Sequence, residues 1–334
     1  MVDIKKLKKN LTKIDISTGI SEPDEWLSTG NYALNFNITG NFKKGIPNRR
    51  TLMLYGLQGS GKSYLACLAA KQAQDKGYFV IYIDTEHALH EDYLHKIGMD
   101  MSDDKFLVVN VFTLEEITKT MSEFFQFFSP EDKVCYIVDS LGMMETEKEQ
   151  KDFEEGKITT DMGLFAKRLK FFMKNINGKI GDRDNFFICT NHCYLNQDIK
   201  NGKGTVIVTG GEGFQYIPSI SVFLSKLKLK EATDTVGIRL TAETTKSRFT
   251  QLGRKIRIEV PYDKGIDPID GLLDMAVEAG LVDNSKKGWY GIIGANDEMI
   301  NFRAKEFHNY YNQIFDIETD NPIVEMDEDG NGEL

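Results

Sequence analysis

One eight-residue segment constrains the fold of this chain more than any other feature. Residues 56–63 read GLQGSGKS, which fits the pattern G-x-x-x-x-G-K-[ST], and they lie between an apolar run at 51–55 and a helical stretch that reaches Gly77. A strand, a glycine-rich turn and a helix in this order form a phosphate-binding loop. The segment therefore predicts an α/β domain with a phosphate site at the N-terminus of the helix.

Carboxylates follow two further apolar runs. The helix after the loop is about 24 Å long and crosses the sheet, so the run at 79–84 must return parallel to the first and bring Glu86 beside the phosphates. There Glu86 can orient and deprotonate a water. The run at 134–138 ends in Asp139, which is typical of a carboxylate that holds magnesium through water. The alternatives are a solvated loop acid at 86 and a helix-capping Asp at 139.

Apolar runs alternate with helical stretches over residues 51–191, which predicts a mostly parallel sheet with helices on both faces. The expected strands are 51–55, 79–84, 106–111, 134–139 and 186–191. Beyond Pro218, apolar and polar residues alternate at 220–224 and 256–260. This change of period predicts additional strands that extend the sheet.

Two helices have start signals in the sequence. Thr113 and Glu116 have the spacing of a capping box. The helix that follows them is expected to bury one face, formed by Ile117, Met121, Phe124 and Phe128. Asp267 and Pro268 predict the start of a second helix, which Gly280 ends.

The net charge of −10 is concentrated at one end of the chain. Residues 316–334 contain eight of the 51 acidic side chains and none of the 41 Lys and Arg, so residues 1–315 carry 43 acidic and 41 basic side chains. The total charge of −10 would argue against nucleic-acid binding, but residues 1–315 are nearly neutral and are compatible with it. The acidic tail either competes with DNA for basic surfaces or only improves solubility.

Hydropathy and cysteine usage exclude several protein classes. The mean hydropathy is −0.35 and no apolar run approaches the roughly 18 residues of a membrane span, so no membrane association is expected. The lysines near the N-terminus are not followed by the apolar region of a secretory signal. Four cysteines lie in apolar runs without metal-site spacing, which predicts reduced core thiols and a cytoplasmic location. They are Cys67, Cys135, Cys189 and Cys193.

Six motifs, in order over residues 26–291, resemble those of the RecA-type strand-exchange recombinases, and most of all their phage UvsX branch. The motifs are residues 28–30 with 45–47, which lead into the phosphate loop, then 82–89, 139–142, 209–211, 246–248, and 265–268 with 271–276. The resemblance implies an α/β fold with a RecA-like P-loop ATPase core. That core would have a mostly parallel central sheet with an antiparallel extension, a short N-terminal arm and a small C-terminal region.

The resemblance also implies roles for individual residues. Glu86 would activate the attacking water and Tyr93 would stack on adenine. His192 occupies the place where bacterial members have a Gln that senses the γ-phosphate. Lys246 and Arg248 are similar to paired cations that reach into the ATP site of a neighbouring protomer. Without the resemblance, Tyr93 could instead pack beneath its own helix, His192 could be a core histidine, and the two cations could belong to an exposed strand.

ATP and Mg2+ are the cofactors that the resemblance implies. The expected catalytic residues are Lys62, Glu86, His192, Lys246 and Arg248. The expected nucleotide contacts are Gly56, Gly59, Ser60, Gly61, Lys62, Ser63, Tyr64, Tyr93 and Asp139, of which Ser63 and Asp139 would hold the metal.

Two polar stretches, 154–164 and 194–213, are expected to be long loops on one side of the sheet. By the resemblance they would bind DNA along a filament axis, where apolar side chains wedge between bases and lysines or backbone N–H groups bind phosphates. Residues alone would indicate only flexible loops. The residues assigned to DNA are Lys157, Met162, Lys200, Lys203, Val206, Val208, Gly210 and Gly211.

The expected organisation is a polymerisation arm at 1–27, the ATPase core at 28–265, a small C-terminal region at 266–315 and the acidic tail. The expected activity is DNA-dependent ATP hydrolysis coupled to strand exchange between single-stranded DNA and a homologous duplex within a helical filament. A loading mediator and a single-stranded-DNA-binding protein are further candidate partners. Two rival hypotheses remain at this stage, a hexameric helicase-type DNA motor and a non-catalytic, ATP-binding recombination accessory protein.

Overall fold

The computed structural model describes residues 4–13, 20–157, 162–196, 205–294 and 297–315. Its strands are β1 (Trp26–Leu27), β2 (Ile46–Pro47), β3 (Thr51–Gly56), β4 (Phe79–Asp84), β5 (Phe106–Asn110), β6 (Val134–Asp139), β7 (Phe186–Asn196), β8 (Thr205–Val208), β9 (Ile220–Glu231), β10 (Asp234–Lys246), β11 (Lys255–Pro261), β12 (Tyr290–Ile293) and β13 (Met299–Phe302). Its helices are α1 (Ile4–Thr12), α2 (Tyr32–Thr39), α3 (Lys62–Asp75), α4 (Glu91–Ile97), α5 (Leu114–Phe127), α6 (Glu147–Glu154), α7 (Met162–Ile180), α8 (Glu212–Gln215), α9 (Leu272–Glu278) and α10 (Tyr311–Phe315).

One large sheet organises the molecule. Its strand order is β11-β10-β9-β3-β7-β6-β4-β5, and β8 pairs with β7 outside this path. The six strands from β9 to β5 are parallel, whereas β10 and β11 are antiparallel to their neighbours. The predicted parallel sheet with an antiparallel extension is therefore confirmed, and the carboxyl ends of the parallel strands share one edge.

Apolar residues cover both faces of the sheet, as expected where helices pack on each side. Strand β7 shows the division, because successive side chains point to opposite faces. Phe186 and Ile188 belong to the core that includes residues of α3, while Phe187 and Cys189 belong to the core that includes residues of α5 and α7. The sheet is thus held between two apolar layers, and its strand ends are free to carry polar groups.

The cysteines and the capped helix match their predictions. All four cysteines are buried free thiols, and burial raises the pKa of Cys67 to about 12. Thr113 and Glu116 form the predicted capping box of α5. Ile117 and Met121 are buried, with Phe124 and Phe128 packed against the same core. Among the helices of the described ranges, none has the length and apolar character needed to cross a bilayer.

The stretch predicted as a loop at 194–213 is partly a β-hairpin. Strand β7 continues five residues past the predicted end at Asn191, because Cys193 to Asn196 pair antiparallel with β8. The other predicted loop is also shorter than expected, since α6 ends at Glu154 and α7 begins at Met162. Residues 158–161 and 197–204 lie outside the described ranges.

The helix predicted to start at Asp267 begins at Leu272 instead, with Gly271 as its cap at φ 83°. Side-chain hydrogen bonds hold the preceding residues in a turn. The Asn31 amide donates to the carbonyl oxygens of Asp267 and Asp270, at 2.8 and 2.9 Å. Asn31 also caps α2, so this turn is bound to the start of α2. The predicted helix start at Asp267 was wrong because Asn31, whose hydrogen bonds hold this turn, is remote in the sequence.

Candidate functional site

The phosphate loop lies at the carboxyl edge of the sheet, between β3 and α3. Gly59 and Gly61 have φ values of 67° and 85°, which only glycine adopts without strain. A Cβ on Gly56 would collide with the carbonyl oxygen of Leu224 on the neighbouring strand. The buried Ser60 hydroxyl has no hydrogen-bond partner among the described residues. A tight concave backbone with an unsatisfied buried hydroxyl fits a phosphate ligand.

Lys62 lies inside this loop. Its ammonium donates to the carbonyl oxygens of Gly56 and Leu57, at 3.2 and 3.1 Å. Burial lowers the pKa of Lys62. Ser63 follows in the first turn of α3 and is exposed, so its hydroxyl is accessible to a phosphate-bound metal ion. The Tyr64 hydroxyl accepts the backbone N–H of Ile266 at 3.0 Å and so connects α3 to the segment before α9.

Glu86 lies at the same edge and is bound by two donors. The Ser140 hydroxyl donates to Oε1 at 2.7 Å, and Nε2 of His192 lies 2.9 Å from the same oxygen. These contacts, chiefly the one from His192, lower the pKa of Glu86 although burial opposes them. The predicted base is therefore an ionised carboxylate held in one orientation, and His192 contacts it directly.

Asp84 sets the backbone of this turn, a role that the sequence analysis missed. It is buried, and its carboxylate accepts the backbone N–H groups of Glu86 and Leu89, at 2.9 and 3.1 Å. The Thr85 N–H donates to the carbonyl oxygen of Asp139 at 2.9 Å, which fixes the turn to β6. The sequence did contain a signal for this role, because Asp84 ends an apolar run two positions before the candidate base.

Asp139 ends β6 beside these groups. Tyr82 donates to its Oδ2 at 2.6 Å, and the Thr190 hydroxyl donates to its Oδ1. No cluster of three or more His, Cys, Asp or Glu side chains in metal-binding arrangement occurs in the described ranges. Ser63, Asp139 through water, and phosphate oxygens would together suit Mg2+, which usually takes one or two carboxylates plus substrate phosphates.

Tyr93 lies on α4, with its ring half-buried against the core that contains α3. Burial raises its pKa. Helix α4 contacts α3, the helix that begins in the phosphate loop, and the Tyr93 ring also contributes to packing. Stacking of Tyr93 on adenine remains a prediction.

The two segments predicted to bind DNA meet at one cavity of about 500 Å³. Its lining includes Lys157 from the first segment, Phe165 on α7 just after that segment, and Tyr194, Gly210 and Gly211 from the second. The lysine is exposed, with its ammonium 2.5 Å from Glu155. The predicted proximity of the two segments is thus present, in a mainly apolar pocket.

The other residues assigned to DNA have different positions. Val208 is only 3% exposed and packs in the core, so its side chain is not accessible in this structure, and its assignment to DNA stays a prediction. Its burial follows from the pairing of β8 with β7. Val206 is half-buried, and Met162 is the first residue of α7. Lys200 and Lys203 lie outside the described residues.

Lys246 and Arg248 lie toward the opposite edge of the sheet from the phosphate loop. Lys246 pairs with Ser221 on β9, and Ser221 pairs with Met53 on β3. Met53 precedes Gly56 by three residues, so Lys246 lies about 10 Å before Gly56 along the direction of β3. Its ammonium donates to the carbonyl oxygens of Tyr216 and Pro218, at 2.5 and 2.6 Å.

Arg248 is exposed and lies two residues beyond the end of β10. Burial lowers the pKa of Arg50, the residue before β3, and the nearby charge of Arg248 lowers it further. Both observations place Arg248 near the amino edge of the sheet. The two cations are therefore not brought to the phosphate loop of their own chain.

Comparison with known proteins agrees with this architecture. The family model described as RecA N-terminal domain matches residues 3–267. The "Recombination and repair protein" of Enterobacteria phage T4 is 29% identical over 262 residues, which are 78% of this chain and 64% of that protein. The chain thus spans slightly less than two thirds of this phage relative.

Bacterial relatives match over similar lengths. "Protein RecA" of Synechococcus sp. (strain CC9902) is 26% identical over 81% of this chain and 69% of its own length. "Protein RecA" of Chloroherpeton thalassium is 25% identical over 86% of this chain and 79% of its own length. The resemblance to bacterial and phage recombinases is confirmed. Since the family model covers well over half of the residues, the chain belongs to the RecA family.

Proposed function

We propose that this protein is a DNA-dependent ATPase that forms filaments on single-stranded DNA and exchanges strands with a homologous duplex, in recombination, repair and recombination-dependent replication. The observation that carries the proposal is the contact of Glu86 with His192, on the strand that leads into the second predicted DNA segment. Membership of the RecA family supports the same activity, because the relatives in the comparison are named RecA or recombination and repair protein.

In this proposal each residue at the sheet edge has a defined task. Backbone N–H groups of the phosphate loop and the Lys62 ammonium bind the phosphates of ATP. Glu86, ionised and fixed by Ser140, accepts a proton from the attacking water. His192 donates either to Glu86 or to the γ-phosphate. Mg2+, held by Ser63 and by Asp139 through water, would neutralise phosphate charge.

Strand β7 couples the two ends of the proposed site. The Asn191 amide donates to the carbonyl oxygen of Thr209 at 2.9 Å, and the Thr209 N–H donates to the carbonyl oxygen of His192 at 3.0 Å. A shift of His192 on nucleotide binding would therefore move the base of the hairpin. Coupling of this kind makes ATP and DNA binding mutually reinforcing.

The remaining assignments extend the same proposal. Helix α1 exposes Ile4 and Leu7, which suits a polymerisation arm that docks on a second copy. Single-stranded and homologous duplex DNA are the substrates, with a loading mediator and a single-stranded-DNA-binding protein as candidate partners in the cytoplasm of a bacterial host. The proposal also includes a small C-terminal region at 266–315 and an acidic tail at 316–334.

Electron microscopy with single-stranded DNA, Mg2+ and a non-hydrolysable ATP analogue tests the proposed assembly. Continuous helical filaments are expected. Discrete rings would favour the hexameric motor, and a strand-displacement assay without homology would then separate translocation from pairing. Filaments that never pair a labelled homologous duplex would contradict the proposal of strand exchange.

Replacing His192 with Ala should move the acid limb of the pH–rate profile for ATP hydrolysis to higher pH. The His192 contact is the largest cause that lowers the pKa of Glu86, so its loss raises that pKa and protonates the base at a higher pH. The rate of ATP turnover between pH 4.5 and 8 measures the shift, and His308→Ala, on an exposed turn, is the matched control. An acid limb that stays in place would contradict the role of Glu86 as the titrating base.

A further inference from the structure

Lys226 lies level with the phosphate loop, on the strand next to it. Strand β9 runs parallel to β3 with Leu224 opposite Gly56, so residues beyond Leu224 extend past the carboxyl edge of β3. Lys226 is two residues further and points to the same face as Leu224, which is the face covered by α3. Its backbone position therefore brings the side chain over the start of α3.

The ammonium of Lys226 rests against the outermost glycine of the loop. It occupies the space that a Cβ on Gly59 would need. Gly61 is also covered by this hairpin, because a Cβ there would lie 3.7 Å from the side chains of Ile238 and Leu240 on β10. The β9–β10 hairpin thus forms one wall of the phosphate loop, and Lys226 is its charged group.

The charges around Lys226 favour a bound anion. No carboxylate forms an ion pair with it within the part of the chain that the structure describes, and its nearest charged neighbour in the loop, Lys62, has the same sign. Two ammonium groups beside one glycine-rich loop repel each other until a polyanion lies between them. The buried hydroxyl of Ser60 in the same loop has no hydrogen-bond partner among the residues that the structure describes, which also indicates that a ligand completes this site.

We propose that Lys226 is a second cation of the phosphate loop, whose ammonium binds the phosphates of the nucleoside triphosphate across Gly59. The proposal rests on the ATP binding proposed above and adds a residue that the loop motif does not contain. Lys62 approaches from inside the loop and Lys226 from the adjacent hairpin. A triphosphate then gains a contact that depends on the position of the β9–β10 hairpin.

Nucleotide affinity tests this assignment. Calorimetric titration of the full-length protein with a non-hydrolysable ATP analogue and Mg2+ should show Kd about fivefold weaker for Lys226→Ala, a size suited to an exposed charge-assisted contact. The Lys226→Arg variant should keep most of the affinity. The difference between wild type and Lys226→Ala should shrink as salt rises, because this contact is solvent-exposed.

Lys228→Ala is the matched control, because Lys228 is exposed on the same face of β9 and lies about 7 Å further from the loop. Equal affinity of wild type and Lys226→Ala would overturn the proposal, as would equal losses in the two alanine variants. An unchanged nucleotide Kd with weaker binding of labelled single-stranded DNA would also overturn it and assign Lys226 to DNA. If wild type itself fails to bind the analogue, the proposed ATP site fails instead, so the two failures are distinguishable.

Discussion

Replacing Glu86 with Gln should lower DNA-stimulated ATP hydrolysis by about 10²- to 10⁴-fold, the usual contribution of a positioned general base. The amide keeps an oxygen that can accept from Ser140 and His192, so the local hydrogen bonds are preserved. It cannot accept the proton of the attacking water. Steady-state phosphate release measures the loss, and binding of an ATP analogue should stay within about twofold because Glu86 is outside the phosphate loop.

Glu123→Gln is a suitable control, since Glu123 is exposed on α5 and makes the same change of charge away from the site. Equal ATP turnover in wild type and Glu86→Gln would contradict the assignment of Glu86. It would favour the rival in which ATP acts only as an assembly switch of an accessory protein. Filament formation by the Gln variant, without turnover, would show that assembly does not require hydrolysis.

Local signals predicted much of the nucleotide site. The loop motif placed Lys62 at the start of α3, and parallel strands brought Glu86 and Asp139 to the same edge, because such strands end together. The features that were not predicted from the sequence depend on residues that are distant along the chain. The role of Asp84 requires the path of residues 85–89, and the loop contact of Lys226 requires the register of β9 on β3.

The errors have the same origin. The stretch at 194–213 is expected to be a long loop, but pairing of β8 with β7 makes part of it a hairpin and buries Val208. The helix expected at Asp267 starts later because Asn31 binds the preceding turn. In both cases a long-range hydrogen bond overrides a correct local preference, which sequence patterns do not encode.

Replacing Arg248 with Ala should abolish most DNA-stimulated ATP hydrolysis, with a loss of about 10³-fold or more if this cation stabilises transition-state charge as an arginine finger does. Its own phosphate loop is at the other edge of the sheet, so the affected site would be that of a neighbouring copy. Phosphate release in the presence of single-stranded DNA measures the effect. Arg239→Ala, on the same antiparallel extension and paired with Glu259 at the surface, should change it little.

Mixing two inactive variants separates a shared site from a self-contained one. Glu86→Gln retains Arg248, and Arg248→Ala retains Glu86, so a mixed filament contains junctions where one copy supplies the base and its neighbour supplies the cation. Activity should therefore reappear in the mixture, reaching about a quarter of the wild-type rate when equal amounts assemble at random and each junction acts independently. If the mixture stays as inactive as its components although electron microscopy shows mixed filaments, Arg248 does not act across the interface. Its effect would then arise within one chain, and the expectation that Arg248 reaches into the ATP site of a neighbouring copy would be contradicted.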